Sequence, residues 1–68
     1  MMSNRAKELL KDMKTKHWYY VDSVYPGLYI ADINMKMIRK SKEVMLENIR
    51  HKLRKVREDD NCRVYMVK

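Results

Sequence analysis

Cysteine is almost missing from this chain: Cys62 stands alone among 68 residues. An intrachain disulfide is therefore excluded, although small domains usually need such a staple, a metal or a partner. A structural zinc site takes about four N or S ligands. His17, His51 and Cys62 offer three, and no two of them lie close in sequence. No metal and no cofactor is expected. Glycine and proline occur once each, as Gly27 and Pro26, which excludes flexible linkers, low-complexity tracts and a glycine-rich phosphate loop. No apolar run approaches the roughly 18 residues of a membrane span. The opening MMSNRAKELLKDMKTK lacks the apolar segment of a signal peptide. A cytoplasmic protein with no membrane partner is expected, and a lone cysteine fits a reducing compartment.

Charge, by contrast, is plentiful and lopsided. Sixteen Lys and Arg face nine Asp and Glu, a net charge of +7. Such an excess on one small domain, residues 1–68, points to an anionic partner: nucleic acid, an acidic protein or an anionic surface. A chain of this size buries only roughly 60% of its unfolded surface. With disulfide and metal excluded, a homodimer is the expected remedy.

Residues 4–16 read as an amphipathic helix. Ala6, Leu9, Leu10, Met13 and His17 recur with the 3.6-residue period, and Ser3 suits the N-cap. Lys7, Lys11 and Lys14 step along the opposite face. Residues 17–25 and 28–33 are rich in strand formers and flank Pro26-Gly27, which predicts a hairpin. With Tyr25 opposite Leu28, one face carries Trp18, Tyr20, Val24, Tyr29, Ala31 and Ile33, the expected core. The other carries Tyr19, Val21, Ser23, Ile30 and Asp32. A type II turn splays a two-residue hairpin, so a longer loop would shift this register.

A third short strand is expected over 35–39. Ser41 then caps a second helix over 42–57, in which Met45, Leu46, Ile49, Leu53 and Val56 form an apolar stripe. Residues 62–67 read as a last strand, at an edge or beside the first. The expected fold is α+β: a small antiparallel sheet with two helices on one face, in the order α-β-β-(β)-α-β.

The run GLYIADINMKMIRKSKEVMLENIRHKL resembles the strand–strand–helix part of HicB-like antitoxins. Gly27, Tyr29, Ala31, Asp32, Ser41, Leu46, Glu47, Asn48 and Ile49 carry the likeness, over residues 27–53. The spacer departs from the family's Pro-Gly-Cys-like segment, and the N-terminal helix is additional. The resemblance implies a small inhibitor or antitoxin of phage or plasmid type that binds RNA, a protein toxin, or both.

Residues 50–57, RHKLRKVR, hold the densest charge: Arg50, Lys52, Arg54, Lys55 and Arg57. On a helix these cations would fan around its outward sides, where phosphates could meet several at once. A helix C-terminus favours one or two cations, and five exceed that need. Lys7, Lys11 and Lys14 would join them if the fold placed the two helices side by side. Among the aromatics, Tyr19 on the less apolar face is the candidate for stacking on an unpaired base. His17 and His51 are unlinked as acid and base, and Cys62 has no implied His–acid pair. An enzyme is not expected. The expected function is RNA binding, favoured over DNA because no helix-turn-helix or zinc-finger pattern occurs. The alternative is a module that docks an acidic protein without nucleic acid.

Overall fold

Ser3 opens the first helix, α1 (Asn4–Lys16), by accepting the Ala6 amide on its hydroxyl at 3.1 Å. The helix closes at His17, which takes a left-handed conformation, φ 58°. The Trp18 amide then reaches back to the Met13 carbonyl at 2.9 Å. This six-to-one bond reverses the chain and lays Trp18 against the core beside Met13.

The computed structural model describes residues 2–68. After α1 come β1 (Tyr19–Ser23), β2 (Leu28–Ala31), β3 (Met37–Lys40), α2 (Glu43–Ile49), a single 3₁₀ turn (Arg50–Lys52), β4 (Leu53–Glu58) and β5 (Cys62–Val67). The five strands make one antiparallel sheet in the order β3-β2-β1-β5-β4. The expected α+β class, with both helices on one sheet face, is what the chain adopts. Ala6, Leu9 and Met13 of α1 and Leu46 and Ile49 of α2 share one buried cluster with Tyr20, Ile30 and Leu53. The last strand lies beside β1, as one of the two expected positions had it.

The hairpin forms, but its register differs from the expected one. Tyr20 pairs with Ile30 and Val21 with Tyr29. The connection is the four residues Val24–Gly27, tied by the Ser23 amide to the Gly27 carbonyl at 3.1 Å. Gly27 has a φ of 110°, which other residues rarely adopt. Because side chains alternate along a strand, the slip moves β2 to the opposite face. Ile30 joins the core, while Tyr29 and Ala31 turn away from the helices. Val24 and Ile33, expected inside, lie in loops at 78% and 63% exposure.

The largest correction falls on residues 50–57. The helix expected over 42–57 stops at Ile49, and Leu53–Glu58 is a strand paired with β5. Asp59, Asp60 and Asn61 form the hairpin turn between β4 and β5. The Asp59 carboxylate accepts the Asn61 amide at 2.9 Å, and the Asp59 amide donates to the Cys62 carbonyl at 2.9 Å. Burial of Leu53 in the core and cross-strand pairing with β5 outweigh the modest helical preference of Arg, Lys and Glu. Ser41 is not the N-cap of α2, which is Lys42 without a side-chain cap. The Ser41 hydroxyl instead accepts a hydrogen bond from the buried Tyr20 phenol.

The third strand, expected over 35–39, lies at Met37–Lys40. The turn before it is organised by Asp32, whose Oδ1 accepts the amides of Asn34 at 2.9 Å and Lys36 at 3.0 Å.

Candidate nucleic-acid interface

Both helices cover one sheet face, so alternation and register define what the other face carries. Lys40 pairs with Tyr29, Tyr29 with Val21, Val21 with Val64, and Val64 with Arg57. One row of side chains therefore crosses all five strands: cation, tyrosine, valine, valine, cation. The neighbouring row holds Met37, Ala31 and Tyr19, and beyond them the paired Met66 and Arg54. Tyr19 and Tyr29 sit diagonally on adjacent strands, a spacing of about 7–8 Å between such positions.

Val21, Ala31 and Val64 are 0%, 0% and 3% exposed, although no helix lies over them. The larger side chains around them on the same face provide this cover. Tyr19, Tyr29 and Met66, on the same face, are half-buried. The face is a shallow apolar and aromatic floor with Lys40 on one edge strand and Arg54 and Arg57 on the other.

The nine residues singled out in the sequence do not form one site. Arg54 and Arg57 lie on the open face and Lys55 on the helix side, since Lys55 pairs with Tyr65, which packs against the core cluster. A register shift between Lys55 and Arg57 leaves Val56 as the extra residue of a bulge. Lys55 is held by Glu58, whose second carboxylate oxygen meets Arg63 at 3.1 Å. Those two hydrogen bonds pull the Glu58 carboxyl below the ordinary carboxylate range. Arg50 is ion-paired with Glu47 at 3.8 Å. By contrast, Lys40, Arg54 and Arg57 have no carboxylate within ion-pair distance among the described residues. Tyr19 is on the open face as expected.

Lys52 lies in the 3₁₀ turn, and the fold brings it beside Lys11 and Lys14 of α1 at one depression. Lys7 stays on the exposed side of α1, outside that depression. Tyr29 was missed in the sequence because its facing depends on the hairpin register, and Lys40 because it lies just beyond the strand expected over 35–39. The four-residue loop set by Ser23 and Gly27 is the signal that would have found Tyr29.

Among the described residues, no three His, Cys, Asp or Glu side chains cluster as metal ligands would. No helix among the described residues is long and apolar enough to cross a membrane. No known protein family, no curated protein and no solved structure matches the chain.

Proposed function

We propose that the protein binds single-stranded nucleic acid, RNA above all, across the open face of its sheet. The observation that carries this is the row Lys40–Tyr29–Val21–Val64–Arg57, with Tyr19 diagonal to Tyr29. Tyrosine rings offer platforms on which unpaired bases stack, and unpaired cations on both edges meet the phosphates. The stride between the two rings exceeds the ~3.4 Å step along a strand of a stacked duplex, so the bases they take are splayed apart. Unpaired, splayed bases are the usual target of RNA recognition.

A duplex fits this face poorly. Four inter-strand gaps of about 4.8 Å make the sheet about 19 Å wide, and a major groove is about 12 Å wide. A second copy of the chain fits poorly too. Stacking two such faces about a two-fold axis would bring Lys40, Arg54 and Arg57 of both copies onto one surface, where like charges repel.

Titration of labelled protein with a ten-residue uridine oligonucleotide, followed by amide NMR shifts, tests the proposal. Shifts are expected at Tyr19, Val21, Tyr29 and Met66. A titration that leaves those amides unmoved would overturn it. Shifts from an acidic protein but none from the oligonucleotide would favour a protein-docking module.

A further inference from the structure

On the other side of the sheet, the α1 helix divides its charges. Glu8 and Asp12 line one depression together with Arg5, Arg39, Lys40 and Lys42, so two acids offset part of the basic charge there. No acidic side chain lines the second depression. Lys11 and Lys14 of α1 face His51 and Lys52 of the 3₁₀ turn and Lys68 at the end of β5, around Leu10 and Val67. The volume is about 540 Å3 and the depression is open to solvent.

Two features hold these cations together. Leu10 and Val67 pack against the core, which fixes α1 against the end of β5. The Lys68 amide donates to the Lys52 carbonyl at 3.0 Å, which ties the two lysine-bearing segments together. None of the four lysines has a carboxylate within ion-pair distance among the described residues, whereas Arg50, Lys55 and Arg63 all do. Like charges gathered with no acidic side chain among them repel one another, and an anion relieves that repulsion. A single phosphate group occupies two or three such ammonium donors. Four lysines in a depression of this volume suit two or more adjacent phosphates.

We infer that this depression is a binding site for closely spaced phosphate groups, separate from the open sheet face and independent of what that face binds. The phosphates can belong to a nucleic-acid chain or to a free oligophosphate. Lys52 lies two residues before Arg54, about 6.6 Å along an extended chain. A strand leaving the open face at Arg54 therefore has a short path over the β4 edge into the depression.

Inorganic tripolyphosphate is the probe, titrated into the full chain and followed by amide NMR shifts. Shifts are expected at Lys11, Lys14, His51, Lys52 and Lys68, with Tyr19 and Tyr29 unmoved. The variant Lys11→Gln/Lys14→Gln keeps exposed helix positions and a similar helix propensity, and circular dichroism checks its fold. Its affinity for tripolyphosphate should fall about tenfold. Unshifted amides at millimolar tripolyphosphate, or equal affinity in the folded double variant, would overturn the inference. A ten-residue uridine oligonucleotide then separates the sources. Displacement of tripolyphosphate by it supports the site with a nucleic-acid chain as ligand. Binding of both together supports it with a free oligophosphate. An oligonucleotide that does not bind at all, with tripolyphosphate still bound, leaves this site standing and removes the function proposed for the sheet.

Discussion

Two residues adopt left-handed backbone without being glycine: His17 at the end of α1, φ 58°, and Met35 in the β2–β3 turn, φ 64°. A side chain in that region costs about 1–2 kcal/mol, while glycine adds about 0.5–1 kcal/mol of unfolded-state entropy. His17→Gly and Met35→Gly should each raise stability by about 0.5–1 kcal/mol, read as a higher urea midpoint at unchanged slope. Tyr20 supplies a pH test. Burial, opposed by its hydrogen bond to Ser41, raises its pKa above the ordinary 10.0. The folded state thus holds the phenol proton more tightly than the unfolded state. Its contribution is complete below pH about 10 and is lost as pH climbs toward the raised value. Tyr20→Phe should cost about 0.5–1.5 kcal/mol at neutral pH. It should also make the alkaline fall in stability shallower. An equally steep fall in the variant would remove Tyr20 as its source.

Elements differ in how openly the sequence declares them. The α1 helix is legible because a capping serine, a 3.6-residue stripe and a basic outer face agree. The strands of the first hairpin are legible too, but their facing is not, since a loop change of one residue inverts it. The β4 strand is hidden for a physical reason. Leu53 and Val56 stand at a helical spacing, and the bulge after Lys55 breaks the alternation that would betray a strand. The same bulge left Arg54 and Arg57 illegible as neighbours on one face. Helix and strand at 53–58 make opposite predictions for Arg54→Thr/Arg57→Thr. On an edge strand, threonine should leave stability unchanged or raise it by up to about 0.5 kcal/mol. In a helix the pair would cost several tenths of a kcal/mol. Thermal unfolding of the variant distinguishes the two.

At the scale of the molecule, the +7 charge separates into different populations once the fold is known. Arg50, Lys55 and Arg63 are absorbed by acidic neighbours. Lys40, Arg54 and Arg57 frame the open sheet face, and four lysines gather at the far depression. The framing cations and the rings between them should decide how a single strand is held on the open face. Removing both charges in Arg54→Gln/Arg57→Gln should flatten the slope of log affinity against log salt by about 1.4 for a single strand. Stacking is not a counterion effect, so ring removal should act differently. Leucine at positions 19 and 29 would still cover Val21 and Ala31 but offer no ring.

The most direct measurement is therefore the affinity of a ten-residue uridine oligonucleotide at several salt concentrations, for the wild type and for Tyr19→Leu/Tyr29→Leu. Stacking is worth about 1–3 kcal/mol per base, so the variant should bind roughly thirtyfold or more weakly, along a line parallel to the wild type. A folded variant that binds as tightly as the wild type would contradict nucleic-acid binding on the open face.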